Sequence, residues 1–251
     1  MSRFATLHVS RFPGLDRIKR LVPPAVWDLG YRRLVVRDIP DADRYRPFYA
    51  PWLAPDFVAL YESVRPLTLC PPASAWTVRT LLLQSLHLPG AVMEAGVYRG
   101  GTARLLRVLM DREAPGRKLH LFDSFAGMER TDAQADRHRA GDFADTSVEA
   151  VRALVGGAEA TLLHAGWIPE TFRGLEHLTF CFVHVDLDLR DSVLDTLRFV
   201  YPRVAPGAAI VLDDYGYASC PGAREAVDGF FADKPEEPLA LQTGQAVVIK
   251  L

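Results

Sequence analysis

Two apolar runs in this chain end in carboxylates, and no other pattern in it is as well suited to chemistry. Val211-Leu212 leads into Asp213, Asp214, Tyr215 and Gly216, while Cys181-Phe182-Val183-His184-Val185 leads into Asp186, with Asp188 and Asp191 close behind. If both runs are parallel strands of one sheet, their C-terminal ends lie side by side and Asp186, Asp213 and Asp214 converge on one crevice. Clustered carboxylates repel one another unless a cation lies between them, and an all-oxygen ligand set selects a hard ion such as Mg²⁺. The competing reading is that these acids cap the helices that follow. Capping is preferred for Asp191, and a metal site for Asp186, Asp213 and Asp214 together.

A second group of residues suits a cofactor. The run Ala91-Val92-Met93-Glu94 is followed by Gly96, Gly100 and Gly101, glycines that let backbone approach a ligand closely. Their spacing is wider than the Gly-x-Gly-x-x-Gly that seats a pyrophosphate. A carboxylate at Glu94 suits a cationic ligand, and S-adenosylmethionine carries both a sulfonium and an ammonium. Asp123, closing the run Leu119-His120-Leu121-Phe122, is placed to accept ribose hydroxyls. Trp167 either stacks on adenine or closes the core. His164 is evenly balanced between a cofactor contact and a structural role. His184 alternates with Asp186 along its strand, and a satisfied core histidine is preferred there over a catalytic one. His120 and His177 read as structural or exposed. Tyr215 and Tyr217 either wall a substrate site or pack a loop.

The elements that would position these residues follow from periodicity. Strands are expected at Ala91–Glu94, Leu119–Phe122, Ala160–Leu163, Leu178–Val185 and Ala208–Leu212. Helices are expected after Gly101, over Val148–Val155, around Leu194–Tyr201 and over Gly222–Ala232. Ala240–Gln242 and Gln245–Ile249, separated by Thr243-Gly244, read as a closing hairpin. Strands alternating with helices imply an α/β fold, a mostly parallel sheet with helices on both faces, here closed by an antiparallel C-terminal strand.

These residues carry a family resemblance. Glu94-Ala-Gly-Val-Tyr-Arg-Gly-Gly101, Asp123-Ser-Phe-Ala-Gly127, Gly166-Trp167, Asp186-x-Asp188-x-x-Asp-Ser192, Tyr201-Pro-x-x-x-Pro-Gly207 and Asp213-Asp-Tyr-Gly216 resemble the macrocin O-methyltransferase (TylF/MycF) family over about Val92 to Phe231. The resemblance implies a class I methyltransferase (Rossmann-like) fold, S-adenosylmethionine and Mg²⁺ as cofactors, and methylation of a sugar hydroxyl on a glycoside or glycan. It implies Asp186, Asp213 and Asp214 as metal ligands, with Asp186 also the catalytic base. It further implies a cofactor pocket of Glu94, Gly96, Tyr98, Asp123, Ser124, Gly166 and Trp167. Leu187, Arg190 and Asp191 depart from the usual Gly, Tyr and Glu, which bears on the substrate more than on the reaction. A catechol-type O-methyltransferase for small aromatic diols and a non-catalytic binding protein on the same fold are the alternatives.

Composition bounds the remainder. The 251 residues suffice for one large α/β domain and an appended segment, and 29 basic against 31 acidic residues give no support for nucleic-acid binding. Cys70, Cys181 and Cys220 form no metal or redox spacing and read as free thiols of a reducing cytoplasm. No apolar stretch is long enough to span a bilayer, and the start lacks the core of a signal peptide. Residues 1–75 are expected to form a helical cap or lid that also joins subunits of a homo-oligomer, and residues 76–251 the methyltransferase domain. The basic residues Arg3, Arg11, Arg17, Lys19, Arg20, Arg32, Arg33 and Arg37 interleave with Leu15, Ile18, Leu21, Val22 and Trp27. Such a helix could lie on an anionic membrane, but packing on the protein itself is preferred. Tyr45, Phe48, Tyr49, Trp52, Phe57 and Tyr61 suit a lid, a subunit interface or a cap over the core.

Overall fold

The computed structural model describes residues 50–251, together with Pro23 and Val26. The basic segment from Arg3 to Arg37, and Tyr45, Phe48 and Tyr49, lie outside the described residues. In chain order the described elements are α1 (Pro55–Val64), α2 (Pro72–Ser85), β1 (Ala91–Ala95), α3 (Gly101–Glu113), β2 (Leu119–Asp123), α4 (Val148–Val155), β3 (Thr161–Ala165), β4 (Phe180–Val185), α5 (Arg190–Val200), β5 (Val204–Leu212), α6 (Pro221–Phe231), β6 (Leu239–Ala240) and β7 (Ala246–Ile249). The strands make one sheet in the order β3-β2-β1-β4-β5-β7-β6. All neighbours from β3 to β5 are parallel, and β7 is antiparallel to both β5 and β6.

The central strands are apolar runs because both of their faces are covered: every residue of β1 and β4 is buried. Alternate residues feed two separate cores. On one face Val92, Leu119, Leu121, Phe182 and Val211 meet Phe57, Val78, Leu82, Leu106 and Val151 from the first four helices. On the other, Met93, Phe122, Phe180, Val183 and Ile210 meet Leu197, Val200, Val227 and Phe231 from α5 and α6. The described part of the aromatic stretch is a cap over the core: Phe57 and Tyr61 are buried and Phe57 meets Trp76 edge-to-face at 5.0 Å. Residues 51–251 cluster as one unit, and the boundary expected at 75/76 falls inside α2.

Local chemistry explains where the elements stop and start. Ser147 caps α4 by accepting from the Ala150 N–H at 3.2 Å, and Gly156, at φ +71°, ends it, giving the Val148–Val155 helix that was expected. β5 begins at Val204, four residues before the expected Ala208. Its pairing with β4 slips between Phe180 and Phe182, and the exposed Pro206-Gly207 sit in that irregularity, just before the expected strand start. The closing hairpin is present with a shorter first strand than expected.

Candidate active site

The register places the acids. Ala95 pairs with Val185, and Val185 with Leu212. The ladder runs one step further, with Asp186 N donating to Ala95 O and Asp213 N to Val185 O, each at 2.8 Å. Asp186 and Asp213 therefore end adjacent strands, at the point where the sheet order turns from β2 on one side of β1 to β4 on the other. Gly96 makes this closeness possible: at φ +86° it lies so near β4 that an added Cβ would come 1.6 Å from Asp186 O.

A cavity of about 380 Å³ opens at these strand ends. Gly96, Tyr98, Asp123, Ser124, Gly166 and Trp167 line it after β1, β2 and β3, and Asp186, Asp213 and Asp214 line it after β4 and β5. Asp123 is heavily engaged: Oδ2 accepts from Val97 N at 2.7 Å and Tyr98 N at 2.9 Å, and Oδ1 from Phe125 N at 2.7 Å. Counting two lone pairs on each oxygen, one acceptor position remains. Ser124 Oγ donates to Gly127 O at 2.8 Å, and the Arg130 guanidinium lies 5.3 Å over the Trp167 ring.

Glu94 sits behind the cavity wall, fully buried and absent from the lining. Its Oε1 pairs with His184 Nδ1 at 3.0 Å, and its Oε2 has no partner. His184 Nε2 reaches Asp213 Oδ1 at 3.4 Å, and Gln245 Nε2 donates to the same oxygen at 2.6 Å. Burial alone would lower the His184 pKa. Hydrogen bonds to Asp213 and Glu94 outweigh it and hold the value well above the ordinary one. His184 is thus a buried histidine hydrogen-bonded on both ring nitrogens, the satisfied core histidine preferred from the sequence.

Asp186 has no such partner. Burial, then the neighbouring charges of Asp213 and Asp214, push its carboxyl well above the usual range, and no hydrogen bond offsets them. Asp214 is raised too, by burial and then by Asp188 and Asp213, and its Oδ2 accepts from Asp188 N at 2.9 Å. An unpartnered carboxyl at the cavity wall with other carboxyls near it is a donor set that suits a hard dication. The ligand atoms of His184, Asp186 and Asp213 lie within 4.8 Å of one another, so Asp214 is the outlier of the expected trio.

Other residues divide cleanly. Tyr217 lines the cavity, whereas Tyr215 turns to Asp228 at 2.8 Å. His164 Nε2 bonds His120 Nδ1 at 3.0 Å, its ring stacks on Phe122, and it is absent from the lining, so its role is structural. Burial brings His120 down to about 4. Asp191 lies in the first turn of α5 without a capping bond. Arg190 points away from the cavity to Asp132 at 2.7 Å. Sequence reasoning missed His138 and treated Cys220 as inert, yet both line the cavity beside Asp188. Hydrogen bonding to Asp188 leads the effects that raise His138 to about 9, against the opposing pull of burial. Burial, then Asp214 and Asp188, push the Cys220 thiol up.

A parallel sheet with this order, closed by an antiparallel strand and carrying its acids at the switch point, is the architecture of class I O-methyltransferases. Residues 78–247 match the family described as Macrocin-O-methyltransferase (TylF), and the chain belongs to that family. The chain is 30% identical over 158 residues to the demethyldecarbamoylnovobiocin O-methyltransferase of Streptomyces niveus, covering 58% of this chain and 60% of that one. It is also 30% identical over 169 residues to the 8-demethyl-8-(2,3-dimethoxy-alpha-L-rhamnosyl)-tetracenomycin-C 4'-O-methyltransferase of Streptomyces olivaceus, covering 62% of each. These matches span about three fifths of the curated relatives' length. Among solved structures, the O-methyltransferase NovP superposes with a TM-score of 0.64 at 25% identity, covering 73% of this chain and 83% of that one.

Proposed function

We propose that the chain transfers a methyl group from S-adenosylmethionine to a sugar hydroxyl of a glycoside or glycan, with Mg²⁺ at the acid cluster. The observation that carries this reading is one cavity bounded by the glycine loop and Asp123 on one side and by the unpartnered Asp186 on the other. Family membership supports methyl transfer to oxygen, and the relatives' names, one of them a rhamnosyl compound, support a sugar acceptor.

Gly96, Tyr98, Asp123, Ser124, Gly166 and Trp167 would hold the cofactor, whose sulfonium supplies the methyl group. Asp123 offers its remaining lone pair to one ribose hydroxyl while it holds the loop, and Trp167 offers an aromatic face. Glu94 acts from behind the wall, holding His184 and through it Asp213. Asp186 and Asp213, with Asp214, would hold Mg²⁺, which supplies the positive charge that eases loss of a hydroxyl proton. Asp186 receives that proton on a carboxylate oxygen. The residues around the cavity fix the hydroxyl's direction towards the methyl group.

The chain is further proposed to work in the cytoplasm, where its three buried free thiols stay reduced, and as a homo-oligomer. Among the described residues no helix is long and apolar enough to cross a membrane. The decisive assay compares a glycoside with a vicinal diol against the same glycoside deoxygenated beside the reacting hydroxyl, with and without a chelator. Turnover should need both the diol and Mg²⁺. Equal methylation of the deoxy compound, or full activity in chelator, would defeat the chelated-diol reading.

A further inference from the structure

A second set of side chains of metal-ligand type faces the same cavity, assembled from three distant segments. His138 comes from the loop after β2, Asp188 from the turn after β4, and Cys220 from the start of α6. His138 Nε2 lies 3.3 Å from Asp188 Oδ1, Cys220 Sγ lies 3.1 Å from that oxygen, and Sγ lies 3.7 Å from Nε2. A tetrahedral Zn²⁺ with bonds of about 2.0–2.3 Å requires donors roughly 3.3–3.6 Å apart. The triad therefore needs to move only by tenths of an ångström to embrace such an ion.

Three further features fit. His138 Nδ1 meets Asp142 Oδ2 at 3.3 Å. A carboxylate on the far nitrogen fixes the tautomer that presents Nε2 to a metal. Asp188 holds a left-handed backbone at φ +59°, uncommon for a residue with a side chain, and its N–H is held by Asp214. The loop bearing His138 is latched at its base: Arg190 Nη2 donates to Asp132 Oδ2 at 2.7 Å and Arg190 N to Asp136 Oδ1 at 3.0 Å.

We propose that His138, Asp188 and Cys220 form a three-ligand site for Zn²⁺ or a similar borderline ion, separate from the acid cluster, with its open fourth position facing the cavity. The donor types support the separation. A thiolate and an imidazole select Zn²⁺ over Mg²⁺, whereas carboxylates alone favour the hard ion. Three protein ligands with an accessible fourth position are the pattern of a zinc that takes water or a substrate oxygen. The thiol proton now shared with Asp188 and the proton on Nε2 leave when the ion enters. The bound ion ties the His138 loop to α6 along one wall of the cavity.

The test uses chelator-stripped full-length protein titrated with Co²⁺ as the spectroscopic stand-in for Zn²⁺. The expected result is one equivalent of Co²⁺ with a near-ultraviolet thiolate charge-transfer band that persists in excess Mg²⁺ and in Asp213→Asn. The band should vanish in Cys220→Ser and in His138→Gln, with circular dichroism checking each fold. Asp142→Asn should weaken Co²⁺ binding about 10- to 100-fold while keeping the band. No thiolate band in excess Co²⁺ would overturn the proposal and leave the triad as a hydrogen-bonded cluster. A band that survives Cys220→Ser would overturn it in favour of Cys70 or Cys181, and loss of the band in Asp213→Asn would mean one shared centre. The readout involves no methyl transfer, so its failure is distinguishable from failure of the proposed activity.

Discussion

Glu236 is a buried carboxylate and Asp186 a half-buried one at the cavity wall, and the fold treats them oppositely. Glu236 accepts from Lys250 Nζ at 2.7 Å, Leu251 N at 3.1 Å and Tyr201 Oη at 2.8 Å. Burial works to raise its pKa, but these bonds outweigh it and bring the value down to about 2. Asp186 is raised by burial and then by Asp213 and Asp214, with no bond to offset them. A buried acid that the protein satisfies from its own donors holds the structure together. One at a cavity wall, beside others of like charge and with no donor from the protein, is open to something bound from outside.

The contrast can be broken by experiment, and the largest effect belongs to Asp186. Asp186→Asn keeps the shape and removes both charge and basicity. Turnover should fall by about 10²-fold or more, while thermal unfolding stays at or above that of the parent because a repulsion has gone. Glu236→Gln should do the reverse, costing about 1.5 kcal/mol in denaturant unfolding, the scale of a lost hydrogen bond to a charged group, with turnover unchanged. If both variants lost stability alike, the contrast would collapse.

The pH dependence sharpens the same point. Glu236 titrates lower in the folded chain than its ordinary value near 4.5. Its contribution is therefore fully present above that value and is lost as pH falls towards 2. The stability gap between parent and Glu236→Gln, measured by denaturant at stepped pH, should narrow through this window. A constant gap would show that the glutamate acts through packing alone. The smallest effect is on the cofactor side. Trp167→Ala should weaken S-adenosylmethionine binding about three- to tenfold by calorimetry, the scale of one aromatic contact, with no change in the unfolding midpoint.

What was legible in the sequence depended on distance along the chain. Asp186, Asp213 and Asp214 could be found because each follows an apolar run, and parallel pairing brings such ends together. The helix at Val148–Val155 was legible from local pattern, and the structure shows that its signals are local too: a capping serine and a terminal glycine. Glu94 was expected in the cavity and stands behind its wall, because its partner His184 lies 90 residues away in the chain. The His138, Asp188 and Cys220 cluster had no local signal at all, since it exists only once three segments have folded together. Pro206-Gly207 hid the start of β5 because a strand irregularity and a turn use the same residues.

The sheet order has a consequence for how the molecule is made. β7 follows every other described strand, yet it lies between β5 and β6. On the ribosome, the growing polypeptide carries β5 as an open edge until residues 246–249 have emerged. Over the same interval Asp213 lacks Gln245, which reaches it from the start of β7. The last described strand to be made thus covers β5 and brings Gln245 to Asp213. A chain cut short of residue 246 would expose β5 as a free edge, the kind of surface on which chains pair with one another.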